Sequence, residues 1–284
     1  MPQAHYQEFL TSTLLPQLSE RGQTWLRTQL EKLQSEKALY LAFSLAPRFT
    51  GKQPLHFTAA QLETAQQLRP GFDPSGWTTD QAARTLLLLH APHQDGAGYT
   101  ALLDNLFATA DMSELATLYA SLPLLPYPET HIKRAAEGVR TTMTSVFDAI
   151  ALRNPYPHDY LPEPAWNQLV LKAVFNVRPL YQIVGLDDRR NEPLANMLLD
   201  YAHERWAAGR TLTPEVWRLV GPYLTPSTLP DVQRLLHSSD ALQVQAGTLA
   251  LAASGLLEAE ALLAEANLGR EANWQSIGEK AYQK

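Results

Sequence analysis

The 284-residue chain contains no cysteine, which excludes disulfides, thiolate nucleophiles and cysteine-ligated zinc together. It also lacks an excess of positive charge. With a formal net charge of -6, it does not offer the clustered Lys and Arg whose counterion release drives binding to a polyanion, so no nucleic-acid partner is expected. Long hydrophobic runs are missing too: the longest aliphatic stretch, 86–89, falls far short of a membrane span. The N-terminus has neither the basic start nor the apolar run of a secretory signal. A cytoplasmic chain, held at a membrane only through partners, is the resulting expectation. There is no Walker A loop, dinucleotide glycine fingerprint, HExxH or nucleophile elbow. The chain therefore reads as a non-enzyme with no cofactor.

What is present is ordinary globular material, 45% hydrophobic and 18% charged, enough for a substantial core and well away from disordered compositions. Apolar residues recur at spacings of three and four almost throughout, and no segment keeps the period-two alternation of a half-buried strand. The fold class predicted is all-α, an irregular α-α superhelix of antiparallel helix pairs with a HEAT-like C-terminal part. Thr58 and Thr79 are candidate N-caps, Gly209 and Gly255 candidate C-terminal caps, and Pro16 a kink or divider. Pro123, Pro126 and Pro128 break the pattern at 122–129. That loop separates an expected N-terminal helical subdomain, 1–122, from a second part, 130–284, which opens with one long helix over 130–152.

Several clusters invite chemistry. His90, His93 and Asp95 are spaced closely enough to consider a metal, but a loop without a third histidine favours a structural role. Asp187, Asp188 and Asn191 stand in DDRRN, superficially a magnesium-diphosphate motif. That chemistry needs carboxylates on successive turns inside a helix, whereas these follow Gly185 and precede Pro193, where helix-start charges belong. Asp200, His203 and Glu204 form a polar stripe on one helix. Arg178, Arg189, Arg190, Arg205, Arg210 and Arg218 are matched one for one by Asp187, Asp188, Glu192, Asp200, Glu204 and Glu215, a pattern of local ion pairs. The helix over 165–177 carries two apolar faces and should be buried nearly all round, with Asn167 and Arg178 obliged to find partners such as the loop around Asn154.

The phrases FDAIALRNPYP, AWNQLVLKA, PLYQIVGLDDR, LANMLLDYAHERWAAGR and VWRLVGPYL follow one another within 146–223. In that order they resemble the EboA family of bacterial proteins. The resemblance implies a component of a gene cluster that moves small metabolites out of the cytoplasm, working with other Ebo-cluster proteins, among them a membrane prenyltransferase-like protein. No catalytic residues come with it. Polar-tipped aromatics and charges beside buried faces concentrate function in this block. The candidate ligand- or partner-binding residues are Asn154, Tyr156, Asn167, Arg178, Tyr181, His203 and Trp206. An isoprenoid-handling magnesium enzyme using Asp187 and Asp188, and a pure protein-binding scaffold, are the alternatives.

Overall fold

A computed structural model describes residues 2–266 and 272–283. Among them are 17 α-helices, linked in part by 3-10 turns, and no strand. The protein is all-α. It divides into two compact units, Met1–Pro162 and Glu163–Lys284.

The first unit holds α1 (Pro2–Leu14), α2 (Glu20–Glu31), α3 (Glu36–Thr50), α4 (Ala59–Leu68), α5 (Thr79–Leu89), α6 (Gly96–Thr109), α7 (Met112–Ser121), α8 (Ile132–Arg140), α9 (Thr144–Ala151) and α10 (Tyr156–Tyr160). Helix α5 is its centre: α1, α2, α3 and α7 pack against it, and the aliphatic run Leu86, Leu87, Leu88 and Leu89 is buried. Pro16 sits in a 3-10 turn that divides α1 from α2. Thr58 caps α4, its hydroxyl accepting from Gln61 N–H at 3.2 Å. The cap of α5 is Thr78, one residue before the expected Thr79.

The loop at 122–129 lies inside this unit, because α7 before it and α9 after it pack together. The division between the units falls at 162/163, among Pro155, Pro157, Pro162 and Pro164. The long helix expected over 130–152 is two helices. Thr141 leaves helical geometry, with φ -59° and ψ 147°, and its hydroxyl accepts from Met143 N–H at 3.2 Å. Thr141, Thr142, Thr144 and Ser145 crowd hydroxyls that compete with helical backbone bonds, and the break lets α9 turn back onto α8 and α7.

The second unit holds α11 (Glu163–Phe175), α12 (Glu192–Ala207), α13 (Trp217–Val220), α14 (Leu229–Gln233), α15 (Ala241–Ser254), α16 (Leu257–Ala266) and α17 (Trp274–Tyr282). Helix α15 is central, packing with α13, α14, α16 and α17. Gly255 ends it at φ 67°, the left-handed conformation anticipated for that position. The α15–α16 pair is a single pair, too few to bury the faces of a stacked array. Ile277 docks α17 by burial. Helix α11 is not buried all round: Trp166, Leu169, Val170 and Ala173 are inside, whereas Phe175 is 52% exposed.

Candidate functional site

The second unit contains a cleft of about 320 Å³ lined by Trp206, Gly209, Arg210, Thr211, Leu212, Trp217, Arg234, Leu235, Ser238 and Gln243. Its construction starts at the end of α12. Gly209, at φ 66°, takes the left-handed conformation that terminates the helix, and the next N–H, of Arg210, bonds back to Arg205 O at 2.8 Å. The Arg205 guanidinium donates from Nε and one Nη to Thr211 O at 3.3 and 3.0 Å, clasping the turn that carries Arg210. In the last turn of α12, Trp206 stacks on Trp217, with ring centroids 5.6 Å apart and planes 16° apart. The Arg234 guanidinium lies over Trp206, 4.0 Å from its centroid. Trp217 is buried and donates to Gln243 Oε1 at 3.3 Å, and Gln243 donates to Leu212 O at 2.8 Å. The floor is thus apolar and internally bonded, and the rim is cationic.

The electrostatics of the rim follow from where the acids went. Asp231, three residues before Arg234, lies with Oδ2 2.9 Å from His203 Nε2. Asp187 is held by Arg218, which reaches both of its carboxylate oxygens, with Arg190 3.6 Å away. Charge matching is therefore not one for one. Among the described residues Arg210 and Arg234 form no salt bridge, and no Asp or Glu lines the cleft. Glu215, expected to pair locally, is instead buried beneath α17. Leu180 N–H donates to its Oε2 at 3.1 Å, and its Oε1 has no partner. Burial pushes its carboxyl up to about 7 against the backbone N–H groups of Leu180 and Tyr181 and the charge of Arg218.

Of the seven residues anticipated as a site, Asn154 and Tyr156 belong to the first unit and the other five to the second. Asn154 is buried, donating to Tyr119 O and Ala149 O at 3.0 and 2.9 Å while accepting from Tyr156 N–H at 2.9 Å. Tyr156 is buried and its hydroxyl donates to Pro128 O. Both hold the loop. Asn167 does not anchor that loop: it exchanges amide bonds with Asn191, at 3.1 and 2.8 Å, and Asn191 in turn caps α12 through Leu194 N–H. Arg178 is half-buried, its N–H bonded to Ala173 O at 2.8 Å where α11 ends. The Tyr181 hydroxyl accepts from Gln182 at 3.0 Å, and its ring meets Tyr282 edge-on. His203 and Trp206 are neighbours, with ring centroids 5.9 Å apart. Trp206 alone among the seven lines the cleft. Arg210, Trp217, Arg234 and Gln243 were not anticipated as its partners, and no local pattern in the sequence marks them as a set.

His90 Nδ1 and His93 Nδ1 each lie 2.8 Å from a backbone carbonyl, those of Leu86 and Ala91, and Asp95 caps α6 through Gly98 N–H. These are structural roles. No group of three or more His, Asp or Glu among the described residues could hold a metal ion. Asp187 and Asp188 precede α12 and its cap Asn191, so they do not lie on successive turns inside a helix. No helix of the described residues is long and apolar enough to cross a membrane.

A family model described as metabolite traffic protein EboA matches residues 6–221. The chain belongs to the EboA family. The match reaches well before the phrases at 146–223, through nearly all of the first unit. It includes Trp206, Arg210 and Trp217 and ends before Arg234 and Gln243. No curated protein and no solved structure matches the chain.

Proposed function

We propose that this protein is a non-enzymatic binding component of a bacterial metabolite-traffic system, using the Trp206–Arg234 cleft to hold a small metabolite. It works in the cytoplasm and presents its cargo to a membrane prenyltransferase-like partner and other Ebo-cluster proteins. Family membership supports the pathway. The observation that carries the binding role is the cleft itself, whose volume lies at the low end of small-molecule pockets and whose apolar floor of Leu212 and Trp217 is faced by polar and cationic groups. Leu212 and Trp217 set behind Arg210 and Arg234 suit a small ligand better than a flat protein-docking face. The aspartates at 187 and 188 favour this reading over magnesium-diphosphate chemistry, since one is neutralised by Arg218 and both stand at a helix start.

The test is export. A strain lacking this gene should retain the pathway metabolite inside the cell, and the wild-type gene should restore export. Trp206→Leu, which keeps apolar bulk but removes the platform under Arg234, should restore it several-fold less well while circular dichroism shows an unchanged helix content. Normal export in the deletion strain would sink the proposal.

A further inference from the structure

The cleft combines three features. Its rim carries Arg210 and Arg234 without a carboxylate, in a chain whose net charge is -6. The Arg234 guanidinium carbon lies 4.0 Å from the Trp206 ring centroid, a cation-π contact that fixes the cation at the rim. Behind them Leu212 and Trp217 supply buried apolar surface.

A guanidinium fork is matched to the two oxygens of a carboxylate or phosphate, and a second guanidinium beside it doubles the favourable charge. A cation or a neutral molecule would leave this rim unanswered. Asp231, the acid nearest in sequence to Arg234, faces His203 Nε2 at 2.9 Å and does not line the cleft.

From this arrangement we infer that the cleft binds a small organic oxyanion, its carboxylate or phosphate taken by Arg234 and Arg210 and its carbon body laid on the Trp217 and Leu212 floor. The inference rests on the metabolite-binding reading above and narrows it to a chemical class.

The experiment titrates the full chain with benzoate, phenyl phosphate and the neutral isostere benzamide, following the indole N–H resonance of Trp206 and the tryptophan fluorescence. At least one of the two anions should bind, with benzamide at least about tenfold weaker, the scale of a lost charge-assisted bond. Which anion is preferred distinguishes a carboxylate from a phosphate ligand. Arg234→Met and, separately, Arg210→Met should each weaken the bound anion by roughly tenfold and flatten its salt dependence. Both side chains are exposed, so both variants should fold. Benzamide binding as well as the anions, or either anion binding both variants unchanged, would overturn the oxyanion assignment and leave ligand binding standing. If neither these probes nor the small-molecule fraction of a cell extract moves the Trp206 resonance, the cleft is no ligand site and both readings fail.

Discussion

Each unit sets an arginine against an aromatic ring, and the two outcomes are opposite. In the first unit Arg84, only 2% exposed, lies over Phe43 and is fully answered. Its Nε donates to Phe43 O at 2.9 Å, Asp80 accepts at 3.0 Å, and Glu114 is 3.5 Å away. Glu114 also accepts from Asp111 N–H and Ser44 Oγ, so the acid that balances Arg84 helps to cap α7 as well. In the second unit Arg234 lies over Trp206 with no carboxylate to meet it, while Glu215 is buried with no salt-bridged cation among the described residues. A compensated charge knits helices together. An uncompensated one is left open to a ligand, as proposed for Arg234, or keeps its proton, as at Glu215.

The largest effect should come from breaking the compensated site. Replacing Arg84 by Leu leaves Asp80 and Glu114 facing apolar surroundings and should cost about 3–5 kcal/mol in urea unfolding. The parallel change, Arg234→Leu, should cost under about 1 kcal/mol, since an exposed cation over a ring contributes only that much. Equal costs would erase the distinction between the two arginines.

Next in size is the pH response of Glu215. Its carboxyl is raised from 4.5 to about 7 in the folded state. Below 4.5 both states are protonated. Between that pH and about 7 the unfolded chain ionises while the native chain keeps its proton, so stability should fall as pH rises across this window. The loss is on the order of 3 kcal/mol at most, one pKa unit being about 1.4 kcal/mol. Above the window it should level off. Thermal melts of the wild type and Glu215→Gln from pH 4.5 to 8 check this. The variant should lack the fall assigned to Glu215, and an unchanged profile would show that another group sets it.

The smallest effect concerns backbone strain, which both units carry, at Tyr127 and Arg153 in the first and at Val177 in the second. Val177 ends α11 at φ 51°, a left-handed conformation that a β-branched side chain resists, and it is 65% exposed. Val177→Gly should stabilise the protein by about 1 kcal/mol in a chemical denaturation series, because little packing is lost with the side chain. A destabilised variant would mean that Val177 is held by contacts worth more than its strain.

Much of the fold could be read from the chain. The three-and-four spacing specified helices, and Thr58, Gly209 and Gly255 marked ends that the structure bears out. Local competition was harder to see: apolar spacing continued through 141–143, where hydroxyl-rich residues turn the chain out of the helix. The candidate site was legible only in part. Trp206 and His203 stood out in an aromatic, polar block, but Asn154, Tyr156 and Asn167 turned out to spend their polar groups within the fold. Nothing in the block pointed to Arg234 or Gln243, which lie beyond its end at 223.

That division has a physical cause. Helix formation, capping and termination depend on neighbours within about four positions, so apolar period, hydroxyl caps and glycines determine them before any tertiary contact forms. Compensation of charge depends on which distant segments meet. Asp231 lies one turn from Arg234 in sequence, yet His203 of α12 engages it, and Glu215, rich in arginine neighbours along the chain, is sealed under Gly278 of α17, where a Cβ would come within 2.6 Å of its Oε1. By itself the sequence determined an all-helical chain and which charges it would carry. Only tertiary packing decided which of them are neutralised and which are left to act.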